Sequence, residues 1–292
     1  MDKAAKTLLS VLIPTKNEER NIGACIDSVG FASEVVVFDS VSTDGTLEIS
    51  EAKGAHIVQR KFDVFSTHKN WALDNIDFAN EWILILDADE RITPELKEEI
   101  TKMLHGTRLL NGYYIARKIL FAGKWARYGG MYPDWQLRLF RKGKARYEDR
   151  IVHEHMVIEG EAGFLKSPLL HHDYKGIERY FDRHNHYSSL EAIEIQRRLR
   201  GSANQALSGN IFVKGPLRNR ALKNFAYTYL PMRPLLMFFY VYFLKLGFLD
   251  GRVGFRYCAL RAFYEYQISL KLIELSDLNS PISVQYRKYL ER

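Results

Sequence analysis

Cysteine is almost absent from this chain. Cys25 and Cys258 are its two thiols. They lie far apart and show no metal-ligand spacing, which argues against a disulfide scaffold or a cysteine zinc site and points to a reducing compartment. Long apolar runs are missing as well. No stretch of about 18 uncharged apolar residues occurs, so no ordinary transmembrane helix is expected. The run Leu8–Ile13 is too short for a signal peptide and is stopped by Pro14 and a charged cluster. Internal repeats, low-complexity stretches and nucleic-acid-binding motifs are lacking too. Acidic charge is scarce in one segment: between Ile211 and Lys271, ten Lys and Arg face only Asp250 and Glu265. That segment carries +8 of a net charge of +7, and the rest of the chain −1. A basic excess confined to one segment points to an anionic surface as partner.

What is present is a large apolar fraction, 47% with 13% aromatic in 292 residues. That is enough for one large domain with an appendage, or for two domains. The organising stretch is Glu81–Glu90. Trp82 to Leu86 are apolar, and three carboxylates follow at once: Asp87, Asp89 and Glu90. Such a run reads as a strand buried on both faces. Ligands of an open α/β sheet bind beyond the carboxyl ends of its strands. On continuing strand geometry Asp87 and Asp89 point the same way. Two hard oxygen ligands on one side suit Mg²⁺ or Mn²⁺ bound together with substrate phosphates. An isolated Asp-x-Asp is more often a solvated acidic loop, so the neighbouring motifs have to decide.

Along the chain, Leu8–Thr15, Glu34–Phe38, His56–Gln59 and Glu81–Leu86 read as strands, with a helix over Ser66–Ile76 and a helix start at Thr93-Pro94-Glu95. Strands alternating with helices predict βαβ units and a mostly parallel sheet. After Gly112 the pattern changes. Tyr113–Phe121, Trp135–Arg141 and Ile151–Ile158 read as strands without long helices between them, a mixed or antiparallel continuation. Ile177–Leu199 is a long amphipathic helix, and Ser202–Gly209 is a small-residue linker. The expected division is residues 1–205 and 206–292. In the second part, Leu235–Phe243 and Val253–Ile273 read as basic, aromatic helices lying in a lipid headgroup region, the alternative being helices packed on the catalytic domain or on a second subunit.

Three segments together resemble family 2 glycosyltransferases: Val11–Glu18 (VLIPTKNE), Val36–Thr46 (VVFDSVSTDGT) and Leu86–Glu90 (LDADE). Phe62–Ala72, Leu137–Arg141, Val152-His153-Glu154 and Leu246–Gly251 resemble the subgroup containing lipopolysaccharide core glucosyltransferases. Val41 departs from the pattern, standing where the family usually has Gly. The resemblance implies a GT-A fold, an α/β nucleotide-sugar-binding domain with a mostly parallel sheet; the basic, aromatic pattern adds a helical, membrane-associating C-terminal region. The resemblance also implies an inverting, Mg²⁺- or Mn²⁺-dependent enzyme. The expected partners are a UDP-sugar donor, a lipid-linked or glycolipid acceptor and an anionic membrane at the cytoplasmic face of the inner membrane, with no nucleic acid.

The site residues follow from the same resemblance. Pro14 and Thr15 are expected against base and ribose, within the donor-binding segment that includes Asn17 and Glu18. Asp39 is expected to accept from the uracil imide, although a helix-capping Asp is the plainer role for such a position. Asp87 faces ribose and metal, Asp89 the metal, and Lys69 a phosphate. Arg138 and Arg141 are further phosphate partners. Inversion needs a base opposite the diphosphate, and Asp134 and Glu154 both qualify, Asp134 being preferred. His171 or His172 is a possible third metal ligand, and the pairs His153/His155 and His184/His186 raise the idea of a separate zinc site. Two rival readings are a polyprenyl-phosphate or protein glycosyltransferase of the same fold, and a basic binding protein without catalysis.

Overall fold

The computed structural model describes residues 6–106, 110–121, 123–148, 155–171, 176–199 and 232–290. The chain forms two compact units, dividing between Tyr174 and Lys175. The long helix over residues 176–199 therefore groups with the second unit. The expected boundary at 205/206 and the Ser202–Gly209 linker lie outside the described residues.

In the first unit, β1 (Thr7–Thr15), β2 (Ala32–Asp39), β3 (His56–Gln59) and β4 (Trp82–Ile85) form the parallel half of one large sheet, in the order β3-β2-β1-β4. The helices between them are α1 (Ile22–Ser28), α2 (Thr46–Ala52) and α3 (Phe65–Asn75). The strands read as unbroken apolar runs because both faces are covered. Along β1, Leu9, Val11 and Ile13 enter one buried cluster with Ile22, Cys25 and Leu96, while Leu12 enters the opposite cluster with Phe38, Ala72 and Phe140.

After β4 the chain turns sharply into β5 (Glu90–Ile92), then α4 (Pro94–Leu104). Thr93 caps α4 as the sequence predicts, accepting from Leu96 N at 3.2 Å. The rest of the sheet is mixed. It contains β6 (Gly112–Phe121), β7 (Lys124–Trp125), β8 (Asp134–Arg141), β11 (Ala162–Phe164) and β12 (Leu169–His171), while β9 (Ala145–Tyr147) and β10 (Met156–Ile158) make a separate hairpin. Strand β8 runs antiparallel between β4 and β6, and β12 joins β6 to β5. The expected change of pattern after Gly112 is thus a change from parallel to mixed pairing.

The second unit is helical: α5 (Gly176–Leu199), α6 (Arg233–Phe239), a π-helical turn (Tyr240–Leu244), a 3₁₀ turn (Gly247–Asp250), α7 (Gly251–Glu274) and two short helices, α8 (Pro281–Gln285) and α9 (Arg287–Leu290). Polar ties hold it together. Lys271 Nζ donates to Asn185 O at 2.6 Å and to Ser188 Oγ at 2.7 Å, and Tyr264 donates to Glu191 at 2.9 Å. The two cysteines are free and buried, one in each unit.

Candidate active site

The carboxyl ends of β1, β2 and β3 are level, because the register sets Thr15 beside Asp39 and Asp39 beside Gln59. Asp39 is fully buried. One oxygen accepts from Ser42 N at 2.9 Å and Gln59 Nε2 at 3.0 Å, and the other from the Ser42 hydroxyl and, at 3.5 Å, from Thr15. A carboxylate offers about four lone-pair sites, and protein donors occupy them here. Through these bonds Asp39 pins the turn that follows it, at the strand end where the sequence expects it.

That turn needs pinning. Val41 has φ +61° and is half exposed, a conformation that suits Gly and disfavours a β-branched side chain. The departure noted in the sequence is thus a point of backbone strain. Asn17 and its neighbours hold the loop from the other side. Asn17 Oδ1 accepts from Thr43 N at 2.9 Å, Asn17 N donates to Ser42 Oγ at 2.8 Å, and Glu18 N donates to Thr46 Oγ1 at 2.7 Å. Asn17 and Glu18, expected to bind the donor, join the two loops that follow β1 and β2 at the carboxyl edge of the sheet. Pro14 is half-buried and Thr15 buried at that edge.

His68 on α3 is tied to the second of these loops, and the sequence reading missed it. Its Nδ1 accepts from Arg60 Nη1 at 2.8 Å, and an arginine only donates. The proton therefore sits on Nε2, which donates to Ser40 Oγ at 3.0 Å. Burial first, and the Arg60 guanidinium second, pull the imidazole down to about 4. The ring is neutral and stacked on Phe38, with centroids 4.3 Å apart.

The strongest electrostatics lie where β4 ends. Strand geometry stops at Ile85 and the chain turns at Ala88–Asp89, with Glu90 N donating to Asp87 O at 2.8 Å. Asp87 and Asp89 thus sit on a turn and not on a continuing strand, so the two-residue strand spacing does not set their direction. They have different partners. Asp87 Oδ2 accepts from Arg138 Nη2 at 2.5 Å, and the same nitrogen donates to Glu90 Oε1 at 2.6 Å. Glu90, fully buried, also accepts from Asp87 N at 3.0 Å and lies 3.7 Å from Arg117 Nη1. Arg117 in turn grips Asp134 Oδ2 through Nε at 2.7 Å and Nη2 at 2.5 Å. The result is a chain of alternating charge, Asp134–Arg117–Glu90–Arg138–Asp87, across β8, β6, β5 and the end of β4. Burial pushes the Glu90 carboxyl up, and the nearby Asp87 adds to this. Burial acts on Asp87 in the same sense, but it keeps 35% of its side-chain surface. The Arg138 charge, with Lys69 behind it, holds Asp87 well below the usual carboxylate range.

Other expected residues separate on this geometry. Arg138, expected at a phosphate, is buried and its guanidinium pairs here with the carboxylates of Asp87 and Glu90. Arg141 pairs with Glu81 at 2.5 Å, level with Trp82 at the start of β4, and so lies at the wrong end of the sheet. Lys69 lies near Asp87 and over the Tyr147 ring, 4.8 Å from its centroid. Asp134 is fixed by Arg117, with Oδ1 accepting from Gln136 at 3.0 Å. Glu154, His153 and His172 fall outside the described residues. His184 and His186 are tied to Tyr180 O and Tyr286 within the second unit.

Asp89 meets His171, whose Nε2 is 3.1 Å from Asp89 Oδ2 because β12 pairs His171 with Glu90. His171 Nδ1 is buried and finds no partner among the described residues. At that distance His171 Nε2 donates to the Asp89 carboxylate; burial works against the charged ring, but the bond and charge of Asp89 outweigh it and push the His171 pKa up. No group of three or more metal-ligating side chains occurs among the described residues. With the shared proton released, Asp89 and a neutral His171 ring would offer two ligands to an ion that takes the rest from substrate phosphates and water.

A family model described as glycosyl transferase family 2 matches residues 10–171, from β1 to the last residue of β12. The chain belongs to that family. A lipopolysaccharide core biosynthesis glycosyltransferase, LpsC of Rhizobium meliloti, is 30% identical over 64% of this chain and 71% of its own. An uncharacterized glycosyltransferase of Rickettsia conorii is 26% identical over 94% of this chain and 93% of its own. Among solved structures, Mycobacterium tuberculosis glucosyl-3-phosphoglycerate synthase, crystallised with Mn²⁺, UDP and glucosyl-3-phosphoglycerate, is similar to 40% of this chain and 45% of its own, at 24% identity and a TM-score of 0.31. The S. aureus protein TarS covers 86% of this chain and 55% of its own, at 15% identity and a TM-score of 0.43. The mixed sheet with its parallel half is the GT-A-like arrangement of this family, and a helical region follows it.

Proposed function

We propose that this family 2 glycosyltransferase is an inverting, metal-dependent enzyme. It transfers a sugar from a UDP donor to a glycolipid or lipid-linked acceptor, of the lipopolysaccharide core type, at the cytoplasmic face of the inner membrane. The observation that carries the reading is the Asp89–His171 pair, set beside an Asp87 held ionised, at the carboxyl edge of the sheet. Its likeness to LpsC supports the acceptor class.

In this reading Asp89 and His171 hold the ion. Bound there, it would offset charge on the leaving diphosphate as a Lewis acid. Asp87, kept charged by Arg138, faces the donor ribose, and Lys69 attends the phosphates. Pro14 and Thr15 bound the base site, whose wall is the Asp39-pinned loop. Asp134 accepts the proton of the acceptor hydroxyl on Oδ1, while Arg117 holds Oδ2 and so fixes the rotamer. Glu154 is the second candidate for that task.

The test is hydrolysis of a panel of nucleotide sugars with Mn²⁺, Mg²⁺ or EDTA. UDP-sugars should turn over with metal only, and Asp89→Ala should abolish turnover and metal-dependent UDP binding. Full turnover in EDTA, or by the variant, refutes the metal-dependent reading.

A further inference from the structure

We infer that the bend between residues 233–244 and 247–274 is a docking surface for an anionic lipid bilayer. Its purpose rests on the lipid-linked-acceptor reading, and its geometry on the second unit alone. Among the described residues no single helix is long and apolar enough to cross a membrane, and these two runs, long and apolar enough only when taken together, bend by 73° between them.

Packing builds the bend. Leu246 takes φ +59°. A Cβ on Gly254 would stand 1.9 Å from Gly247 O, and one on Gly247 would stand 2.6 Å from Cys258 Sγ, so only glycines admit this approach. Arg233 and Glu265, both buried, form an ion pair that ties α6 to α7. The arrangement is a closed corner and not a straight span.

The corner leaves two apolar stripes outside. Leu236, Phe239, Phe243 and Leu244 recur at helical spacing on the first run, and Phe263, Tyr266, Leu270 and Ile273 on α7. All are exposed, Leu244 to 75% and Ile273 to 70%. Contiguous exposed apolar surface of this kind marks an interaction site. Lys245, Arg252 and Arg256 are exposed at the corner itself. Tyr242, Arg252, Phe255 and Arg256 line a cleft of about 280 Å³ there. Between Arg233 and Glu265 the sequence contains one acidic residue, Asp250.

The mixture selects the occupant. A second copy docking symmetrically would bring the same positive corner, Lys245, Arg252 and Arg256, against itself. A bilayer with anionic headgroups accepts both features, with aromatic and aliphatic side chains dipping in and Lys and Arg reaching the phosphates.

The test is sedimentation of the full chain with vesicles of phosphatidylglycerol and phosphatidylcholine, or phosphatidylcholine alone, at low and high salt. Binding should require phosphatidylglycerol and weaken in salt without vanishing. Arg252→Ala with Arg256→Ala should weaken it about 25-fold, about fivefold for each arginine. Phe243→Ser with Leu244→Ser should remove the salt-resistant part. UDP-sugar hydrolysis without lipid should be unchanged in both variants, which separates failure of this inference from failure of the glycosyltransferase reading. No pelleting with phosphatidylglycerol, or unaltered binding in the arginine variant, overturns the inference. So does a dimer that dissociates in Phe243→Ser/Leu244→Ser while vesicles are ignored.

Discussion

Val41 stands where the family resemblance calls for Gly, and its backbone is in the left-handed region, so the two observations can be tested together. An L-residue in the left-handed region costs about 1–2 kcal/mol, and Val41 sits there with φ +61°. Val41→Gly relieves that cost but loses a half-exposed side chain and adds freedom to the unfolded chain. Val41→Ala supplies the control, because it also removes the side chain but keeps the Cβ clash. Comparing the two cancels most of the lost burial. What remains is the 1–2 kcal/mol of relief set against about 0.5–1 kcal/mol for the greater freedom of Gly over Ala. Val41→Gly should therefore be more stable than Val41→Ala, by up to about 1.5 kcal/mol. All four tryptophans (Trp71, Trp82, Trp125 and Trp135) lie in the first unit, so their fluorescence in a urea titration reports that unit. An alanine variant equal to or more stable than the glycine variant would refute the strain argument. Ser40 and Ser42 flank Val41 and bond to His68 and Asp39, so the glycine variant should also bind UDP less tightly if the strained turn preorganises the donor edge.

Asp134→Asn, which keeps shape but removes the proton acceptor, should lower transfer about 10²–10⁴-fold with UDP binding retained; if Glu154→Gln shows that loss and Asp134→Asn does not, Glu154 is the base. Arg138→Ala leaves Asp87 and Glu90 without their shared cation and should destabilise the first unit by about 3–5 kcal/mol, and a loss under about 1 kcal/mol in the urea titration would show that water replaces the guanidinium. His68 gives a pH signature. Its folded pKa of about 4 lies below the ordinary 6.5, so the unfolded chain takes up a proton first as pH falls. Its contribution is whole above pH 6.5 and is lost on descending to about 4, by at most about 3 kcal/mol. His68→Gln should flatten that part of the stability profile, and an unchanged slope would mean that the ring is not held neutral.

Much of the sheet's carboxyl edge was legible in the sequence because it is local. Strand β1, strand β2 and the run ending at Ile85 are apolar stretches that give way to polar residues at Thr15, Asp39 and Asp87, and short-range patterning alone sets such boundaries. Thr93 and Pro94 announced their helix for the same reason. The family motifs lie on these strand ends, so the fold and the enzyme class followed. Partners set by long-range pairing were not legible. Nothing around Arg117 indicates that β6 brings it to Asp134 and within reach of Glu90, because that depends on an antiparallel register between segments far apart in sequence. His171 was one of two adjacent histidines until β12 paired it with Glu90 and set it against Asp89. Arg138 and Arg141 look alike in sequence, yet the register with β4 buries one among carboxylates and sends the other to the far end of the sheet. The extended reading of Asp87-Ala88-Asp89 failed because a strand's two-residue period holds only while the strand continues, and Glu90, folding back to accept from Asp87 N, ends it. The sequence determined which side chains are chemically able to bind a donor. Tertiary structure decided which of them are spent on one another, because buried charges take the nearest opposite charge that the sheet register supplies.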